Sequence, residues 1–488
     1  QGIEVIVSSG DKDLSQLVNE HITIIDTMSG KRRDVAGVTA EFGVPPALMV
    51  DYQALVGDTV DNVPGVTKVG PKTAAKWLEE YGSLDNLIAN ADAIKGVAGN
   101  NLREAIASGA SYGNAGTLAP YGVMPIAQPA LLKAIPSLLF SKESPFVINW
   151  ARLPRLMPWL LRFLNECRAS RCEANTHALS QILQHTYSGY APLLAEAPEA
   201  DRHLRHNGCI YAYGTEHGLA GAQLAIELRR SLGIAQQILS PADIEQLEPA
   251  LAGKAVGGIL FPESSHMDDP RAFIEALAAP LIADGALHQA TITAVQRKSD
   301  GLYLNSAEGK SWRADRVVLC GGAWSAALAR QVGDDIPLDT ERGYHIEFDL
   351  QDTLLNRPCC PVESAFYMTP MAGRLREART VELGSIHDPA NPRRFAYLER
   401  HVRRVMGLKQ PVARKWLGFR PSLPDSLPVI GPSPNEPRLI YAFGHQHLGL
   451  TLAGATGQLV ADCIAGKAPG WLDSFSVQRF SATPFHRR

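Results

Sequence analysis

The sequence predicts two successive parts, an α/β segment and a larger α+β segment that contains a mixed β-sheet. Three observations lead to this prediction. Residues 3–8 (IEVIVS) form a continuous β-branched run that is typical of a buried parallel strand. Strand–glycine turn–helix patterns occur at residues 316–329 and 441–466. Residues 107–125 are rich in Gly and Pro, which places the boundary between the two parts there.

Composition limits the possible functions of this chain of 488 residues, whose length allows about three domains. A net charge of −3 argues against a global basic surface, so any nucleic-acid contact has to be local. The 7 cysteines form no C-x-x-C pair, which is typical of a reducing compartment. No apolar run approaches the roughly 18 residues of a membrane span, and no signal peptide is recognisable. We therefore expect a cytoplasmic location without a transmembrane segment.

The first part alternates strands and helices. After the strand at 3–8, residues 10–19 predict a turn into a helix, and residues 21–28 predict a second strand. Helical spacing follows at 34–43 and 46–58. Residues 62–82 predict a helix, a glycine hairpin and another helix.

Carboxylates gather at two places in this first part. Asp11 and Asp13 directly follow the first strand, where ligand sites of parallel sheets collect. Asp58 and Asp61 are three residues apart and share one face if they are helical. Such clusters favour divalent metal ions and two-metal phosphodiester chemistry. The alternative is that exposed Asp pairs cap helices.

The stretch GVTKVGPKTA, residues 65–74, combines a glycine hairpin with the start of a helix. Exposed backbone N–H groups and lysines in such a hairpin would bind a DNA phosphate without reading the base sequence. A helical hairpin without a ligand is the alternative. The candidate DNA-binding residues are Gly65, Lys68, Val69, Gly70, Lys72 and Thr73.

Residues 1 to about 106 resemble the C-terminal half of the 5′–3′ exonuclease domain of bacterial DNA polymerase I. The resemblance rests on GDKDLSQLV and on DYQALVGDTVDNVPGVTKVGPKTAAKWL. It implies a helix-hairpin-helix and assigns Asp11, Asp13, Asp58 and Asp61 to metal binding, with Mg²⁺ as the expected ion. Because the family takes further carboxylates from its N-terminal half, we expect weak DNA binding at best and little cleavage.

The second part begins with a segment rich in Gly, Pro and apolar residues, 112–150, and continues with helical spacing at 154–195. Residues 255–285 predict a strand, a loop and a long helix. Residues 290–333 predict a hairpin, a further strand, a glycine turn and a helix, and strands with Pro-rich turns follow from 341. Arg420 lies in a proline-bounded strand and loop, GFRPSLPDSLPVIGP, where its fork suits a carboxylate. A surface salt bridge is the alternative for Arg420.

Residues 109–472 resemble the D-amino-acid oxidase-like flavoproteins, above all bacterial D-amino-acid dehydrogenases and glycine-oxidase-like enzymes. The motifs, in family order, are ASYGNAG, GGILFPESSHMDDP, VVLCGGAWS, RGYHIEF, GFRPSLPDSLPVIG and GHQHLGLTLAGATG. The resemblance implies a truncated Rossmann-like FAD-binding domain from about 109–125, 285–335 and 415–472. It implies an interleaved substrate domain from about 150–280 and 340–414, with residues 473–488 as a tail.

The resemblance also assigns residues to a flavin and an amine site. Tyr344, Tyr367 and Arg420 are expected to contact the substrate, with His445 nearby. The alternatives are a strand-edge aromatic for Tyr344 and a satisfied loop histidine for His445, while Trp324 could be plain core. The implied flavin contacts are Ser111, Asn114, Ala115, Gly116, Val295, Gly321, Gly322, Trp324, His447, Leu448, Gly449 and Thr451.

The resemblance implies oxidation of a D-amino acid or related amine by hydride transfer to FAD. It also implies a quinone or another electron acceptor, and attachment to the cytoplasmic membrane face. The family's G-x-G-x-x-G unit, which binds the dinucleotide diphosphate, is not found ahead of ASYGNAG. We therefore expect impaired FAD binding. A DNA-binding, exonuclease-type protein and a non-functional chimera remain the alternatives.

Overall fold

The computed structural model describes residues 5–9, 13–26, 29, 31–57, 66, 69–84, 87, 110–132, 146–148, 152–284, 286, 288, 290–307, 309–364, 366–378, 381–386 and 388–481. The chain divides into two compact units, residues 1–109 (unit 1) and 110–488 (unit 2). Each unit has its own hydrophobic core, and each is described by itself.

Unit 1 is a small α/β unit. Its sheet has the order β1-β2-β3, in which β1 and β2 are parallel and β3 is antiparallel to β2. Ile24, Leu55 and Trp77 belong to the core between the sheet and the helices. The elements are β1 (Val5–Ser8), β2 (Ile22–Ile25), β3 (Arg32–Arg33), α1 (Val35–Phe42), α2 (Met49–Val56) and α3 (Pro71–Tyr81).

Two expectations for unit 1 need correction. The first strand is parallel to β2 as expected, but it lies at the edge of the described sheet rather than inside it, and Ile6 is 68% exposed. Among the described residues of the helix expected at 10–19, Asp13–Leu17 form a 3-10 helix instead of an α-helix. The first error arises because a β-branched run does not reveal how many neighbouring strands will cover it. Of the helix and glycine hairpin predicted at the start of 62–82, residues 62–65, 67 and 68 lie outside the described residues.

Unit 2 contains eleven helices among its described residues. Three of them together cover the helical spacing at 154–195. The helices are α4 (Leu153–Glu166), α5 (Ala169–Leu183), α6 (Thr186–Glu196), α7 (Pro198–Asp201), α8 (Glu216–Gly221), α9 (Gln223–Ser231), α10 (Pro241–Leu247), α11 (Pro270–Ala283), α12 (Ser325–Gln331), α13 (Pro392–Met406) and α14 (Gly449–Ala465).

The strands of unit 2 form a mixed architecture, which agrees with the predicted α+β class. They are β4 (Thr117–Leu118), β5 (Phe146–Ile148), β6 (Leu204–Arg205), β7 (Cys209–Tyr213), β8 (Gln237–Leu239), β9 (Gly257–Phe261), β10 (Ser265–Met267), β11 (Ile292–Lys298), β12 (Gly301–Ser306), β13 (Ser311–Ala314), β14 (Val317–Leu319), β15 (Asp339–Asp349), β16 (Cys359–Pro361), β17 (Tyr367–Met371), β18 (Arg374–Ala378), β19 (Val381–Leu383), β20 (Arg414–Ser422), β21 (Val429–Pro432) and β22 (Leu439–Phe443).

The largest sheet has ten strands in the order β5-β19-β15-β18-β17-β16-β7-β9-β8, with β20 paired to β15 as well. Helix α13 packs against one face, where Ile346, Leu398 and Val402 belong to a shared core. A second sheet, β14-β22-β21, joins β14 and β22 in parallel. A meander of β11, β12 and β13 and a small sheet of β4, β10 and β6 complete the described unit.

Helix α14 packs against the β14-β22-β21 sheet and against α6. Residues Gln446–Ala465 are long and apolar enough to cross a membrane, although no apolar run in the sequence predicted a span. Half of this segment is buried inside the protein, and core helices meet the same criteria, so the evidence for a span is weak.

The crossing of α6 and α14 depends on two glycines. A Cβ atom on Gly189 would come closer than 3.0 Å to the backbone of Gly454 and Ala455. We expect Gly189→Ala to lower the free energy of unfolding of unit 2 by about 2–3 kcal/mol, since backbone atoms cannot move aside as a flexible side chain can. Urea denaturation measures this.

The matched control is Gly457→Ala on the partner helix α14, because nothing lies within 4 Å of the position of its Cβ. The higher helix propensity of alanine should make this variant equal to or slightly more stable than the parent. Equal stability of the Gly189 and Gly457 variants would contradict the close crossing of the helices.

Candidate functional site

The alternation of side chains along β15 separates a cavity face from a core face. Glu341 and Gly343 line a cavity, whereas Tyr344 and Ile346 belong to the core under α13. Successive residues of a strand point to opposite faces, so this two-residue period extends over the whole strand. On the neighbouring strand β20, Trp416, Gly418 and Arg420 follow the same period, and Phe419 also lines the cavity.

Strand β20 runs antiparallel to β15 and places its functional residues by register. Arg420 pairs with Glu341, and Gly418 pairs with Gly343. The guanidinium of Arg420 lies over Gly343, where a Cβ atom would come closer than 3.0 Å to its Cζ. The Trp416 ring likewise occupies the space where a side chain of Gly418 would lie. Glycine is therefore required at both positions for the cavity floor to keep this shape.

The cavity has a volume of about 560 Å³, which is within the range of small-molecule and cofactor sites. Its floor comes from the ten-stranded sheet and one wall comes from residues 110–131. The start of the last long helix closes another side, through Gln446, His447, Leu448 and Thr451. Tyr121 and Arg229 also line it.

Glu341 and Arg420 set the charge of the cavity floor. The Glu341 side chain is 3% exposed, and burial raises its pKa above the usual value, although Arg420 and a hydrogen bond from Ser422 act in the opposite direction. A buried carboxyl next to an arginine can hold or release a proton depending on what else occupies the cavity. This pair therefore combines a fixed cation with a titratable group.

Two tyrosines of the sheet and Arg229 of α9 line another part of the cavity. The hydroxyls of Tyr211 and Tyr367 are hydrogen-bonded to each other, and burial raises the pKa of both phenols, so they stay protonated at neutral pH. Arg229 donates from Nε to the carbonyl of Tyr121 at 3.3 Å and lies 5.0 Å from the centre of the Phe261 ring.

The start of α14 adds backbone polarity to the cavity. Gln446 has a φ of 50°, which is unusual for a residue with a side chain, and it is held by a 3.0 Å hydrogen bond from Nε2 to the Leu423 carbonyl. The helix macrodipole places partial positive charge at this end of α14. An electron-rich group of a ligand would be stabilised there.

The structure brings together only some of the residues predicted for the flavin and amine site. Those that line the cavity are Asn114, Ala115, Tyr367, Arg420, His447, Leu448 and Thr451. Ser111, Gly116 and Gly449 are their neighbours in the chain but do not line it.

Four of the predicted flavin contacts lie around β14 instead. Val295 is buried in β11, where its N–H donates to Gln331 at 2.9 Å. Gly321 and Gly322 form the turn after β14, and Trp324 is 53% exposed. The Trp324 ring contacts that of Phe419, a cavity residue, with 6.0 Å between centroids.

The structure does not place Tyr344 and His445 in the cavity lining. Tyr344 is on the core face of β15, where its hydroxyl donates to Glu382 and accepts from the N–H of Asn391 at 3.1 Å. The expectation for Tyr344 overlooked the strand period, which directs it away from Arg420. His445 bonds Thr456 through Nε2 at 2.9 Å, and burial lowers its pKa to about 4.

The predicted metal and DNA sites of unit 1 are only partly described. Asp11, Asp58, Asp61, Gly65 and Lys68 lie outside the described residues, as does the side chain of Asp13. Within the described parts of the chain, no group of His, Cys, Asp or Glu could hold a metal ion, so the Mg²⁺ prediction has no support there.

The other predicted DNA-binding residues lie at the start of α3. Val69 is buried in the core of unit 1, and Gly70 is the N-cap of α3. Lys72 is exposed and Thr73 half-buried in the first turn of the helix.

Sequence reasoning missed several cavity residues, namely Tyr211, Arg229, Glu341, Gly343, Trp416, Gly418 and Gln446. A signal existed for four of them. Counting back by two from Arg420 gives Gly418 and Trp416, and the pattern E-x-G in residues 341–343 has the same period. Tyr211 and Arg229 come from distant elements, and no local pattern marks them.

The residues present fit the ring end of a flavin better than its diphosphate. The cavity is of suitable size, glycines keep its floor flat, and the positive end of α14 faces it. The glycine turn after β14, where Gly322 has a φ of 55°, is not part of the cavity lining and so provides no diphosphate contact there.

Comparisons with known proteins agree with this geometry. The family model "FAD dependent oxidoreductase" (DAO) matches residues 103–463, and the model "5'-3' exonuclease, C-terminal SAM fold" matches residues 44–114. A D-amino-acid oxidase of Bradyrhizobium diazoefficiens is 33% identical over 383 residues, which cover 76% of this chain and 90% of that protein. A D-amino acid dehydrogenase of Paramagnetospirillum magneticum is 29% identical over 78% of this chain and 92% of its own length.

Solved structures show the same fold. Glycine oxidase from Geobacillus kaustophilus aligns with a TM-score of 0.59 and 23% identity, covering 76% of this chain and 89% of that one. L-proline dehydrogenase from P. horikoshii aligns with a TM-score of 0.56 and 17% identity, covering 62% and 83%. At these identities the likeness establishes the fold alone.

Proposed function

Residues 103–463 make this chain a member of the FAD-dependent oxidoreductase family called DAO, and from that premise we propose that unit 2 oxidises the α-amine of an amino acid, with D-amino acids as the first candidates. The predicted join of a 5′–3′ exonuclease segment to this oxidoreductase is confirmed by the two separate family matches. The observation that carries the proposal is the cavity floor, where Arg420 lies over Gly343 beside the wall formed by residues 110–116.

Arg420 holds the substrate carboxylate in this proposal. Its guanidinium presents paired N–H donors that match the two oxygens of a carboxylate, and glycine at position 343 gives the guanidinium a flat support. The low-dielectric floor strengthens this charge-assisted contact. Binding at Arg420 would orient the Cα–H bond of the substrate toward the wall of residues 110–116.

Glu341 takes the proton of the substrate ammonium. Loss of hydride from Cα requires a neutral amine, and Glu341 is the titratable carboxyl opposite Arg420 in the register. Its raised pKa brings it closer to that of a working base. Tyr211 and Tyr367 remain neutral and orient the amine by hydrogen bonding. Bound FAD would supply the acceptor for the hydride, so that the amine becomes an imine, which water hydrolyses.

We further propose that this 488-residue chain binds the flavin ring more effectively than the ADP part of FAD, because it contains no G-x-G-x-x-G cradle. Titration with FAD and with riboflavin, followed by flavin fluorescence, tests both proposals. We expect dissociation constants within about tenfold of each other, a difference of about 1.4 kcal/mol. The addition of ADP should not displace FAD.

The outcomes of this titration are separable. FAD binding more than about 100-fold tighter than riboflavin would show that the chain does hold the diphosphate, and the impairment would be refuted. No binding of either flavin would contradict the oxidoreductase proposal itself. Reduction of a dye by D-amino acids in the presence of excess FAD is the accompanying activity measurement.

Weak DNA binding by unit 1 is a second candidate function. The match of residues 44–114 to the 5′–3′ exonuclease C-terminal fold favours it, and Gly70, Lys72 and Thr73 at the start of α3 would meet the phosphates. This second proposal concerns DNA binding alone.

A further inference from the structure

Three successive carbonyl groups in the cavity wall are held by two buried side chains of the sheet. Nη1 of Arg376 donates to the carbonyls of Tyr112, at 2.9 Å, and of Asn114, at 2.6 Å. Between them, the carbonyl of Gly113 accepts from Nδ1 of His345 at 3.0 Å. Arg376 and His345 are each 1% exposed, so these hydrogen bonds are shielded from water.

The two donors are themselves fixed. Nε and Nη2 of Arg376 donate to Oε1 of Glu347 at 2.8 and 2.7 Å, which uses the opposite side of the guanidinium. Burial raises the pKa of Glu347, but Arg376, His345 and Arg374 outweigh this effect and lower it to about 2. Glu347 therefore remains a carboxylate at neutral pH and holds Arg376 in place.

His345 is fixed by a different mechanism. Burial, and next Arg376, lower its pKa to about 3, so it is neutral. Because a carbonyl can only accept, the ring hydrogen is on Nδ1. Trp416 stacks on the imidazole with 5.0 Å between ring centres, and the same indole fills the space beside Gly113. The wall is thus anchored through its carbonyls and packed from the side of Trp416.

This anchoring determines the direction of the amide groups in the wall. In a trans peptide the N–H points opposite to the preceding carbonyl. The N–H groups of Gly113 and Ala115 therefore point away from Arg376, and both residues line the cavity. Neither Arg376 nor His345 lines it.

We propose that Arg376 is a positioning residue, which acts through the carbonyls of Tyr112 and Asn114 to hold residues 112–115 in the orientation that the flavin ring requires. The effect on flavin rests on the function proposed above, whereas the anchoring of the wall can be measured in protein without flavin.

The test compares Arg376→Ala with Arg374→Ala. Arg374 lies two residues before Arg376 on the same strand and also contacts Glu347, at 3.5 Å. Its other ion pair is with Asp269, and not with the wall. Hydrogen exchange is measured first, without flavin, at the amides of Asn114 and Gly116, whose N–H groups donate to the Ser111 carbonyl at 3.3 Å and to Oδ1 of Asn114 at 2.8 Å. We expect exchange at least about 100-fold faster in Arg376→Ala, because this variant loses two buried hydrogen bonds from a charged donor to the wall. Exchange in Arg374→Ala should change little.

Chemical rescue separates positioning from a general loss of packing. Added guanidinium at millimolar concentration should slow exchange in Arg376→Ala and restore its riboflavin affinity, which we expect to be at least tenfold weaker than that of the parent. The same additive should not change Arg374→Ala.

If Arg376→Ala does not fold, Arg376→Lys takes its place. Lysine retains the charge beside Glu347 but cannot donate to both carbonyls at once, so exchange at Asn114 and Gly116 should still rise while the Tm stays close to that of the parent. Unchanged exchange in a folded Arg376 variant would overturn the inference. If the parent chain does not bind riboflavin, the proposed function is contradicted. The exchange measurement, which needs no flavin, then still tests whether Arg376 anchors the wall.

Discussion

Replacement of Arg420 by methionine is expected to lower kcat/KM for an amino acid substrate by about 1000-fold in flavin-supplemented protein. A paired, charge-assisted contact with a carboxylate contributes roughly 3–4 kcal/mol when water is excluded, and each 1.36 kcal/mol corresponds to a factor of ten. Most of the effect should appear in KM, because the carboxylate contact exists before and during the reaction. Steady-state dye reduction with a D-amino acid measures both constants.

Two further variants define the cause of this effect. Arg404→Met removes an arginine from the exposed side of α13, and its kinetic constants should equal those of the parent. Arg420→Lys keeps the charge without the fork, and an intermediate loss is expected. An unchanged KM in Arg420→Met would contradict the assignment, and a raised KM in Arg229→Lys would then identify the second arginine of the cavity as the carboxylate anchor.

Arg420 could be singled out from the sequence because its motif is local and proline-bounded, and the structure places it in the cavity lining, while its contact with a substrate stays a prediction. It was not sufficient to place Tyr344, since the motif RGYHIEF does not state which face of β15 meets the cavity. Once the pairing of Glu341 with Arg420 is known, the two-residue period of β15 shows that Glu341 and Gly343 face the cavity and that Tyr344 does not. Register between strands some 80 residues apart is a tertiary property that local patterns do not encode.

The fold was predictable to a similar extent. Elements with strong local signals, such as α4–α6 and the strand–turn–helix at β14, appear where the sequence indicated. Contacts that depend on two distant segments were not predictable, as the contact of Gly189 with Gly454 shows. The hydrogen bonds of Arg376 to the carbonyls of Tyr112 and Asn114 were not predictable either, because nothing near Arg376 in the chain indicates these partners.

Two buried glutamates on neighbouring strands are expected to change the free energy of unfolding in opposite directions. The direction depends on which face of the sheet each side chain lies on and whether an arginine pairs with it. Glu347 and Glu377 are both 0% exposed. Glu347 is on the cavity face of β15, where Arg376 and Arg374 neutralise it. Glu377 is on the core face of β18, opposite Ile346 and Met368, and within the described structure neither of its oxygens has a hydrogen-bond partner.

Glu377→Met is therefore expected to stabilise unit 2, by about 2 kcal/mol at pH 7. Burial raises the pKa of Glu377 well above its usual value, and no opposite charge lowers it, so the folded protein keeps the proton that the unfolded chain releases. That difference costs stability as the pH rises above about 4.5, so the benefit of Glu377→Met should be small at pH 4 and grow toward pH 8. Urea denaturation at several pH values measures it, and Glu377→Gln should gain less because its amide stays without a partner.

The matched control is Glu347→Gln, for which we expect the opposite sign. Its removal leaves Arg376 buried without a carboxylate, at a loss of about 3–5 kcal/mol, whereas Arg374 keeps its ion pair with Asp269. Because the pKa of Glu347 is lowered to about 2, the stability that it contributes is present at neutral pH and disappears as the pH falls from about 4.5 toward 2. A loss of stability in Glu377→Met, or a gain that does not change with pH, would show that Glu377 has a partner in solution and would refute the apolar setting assigned to it.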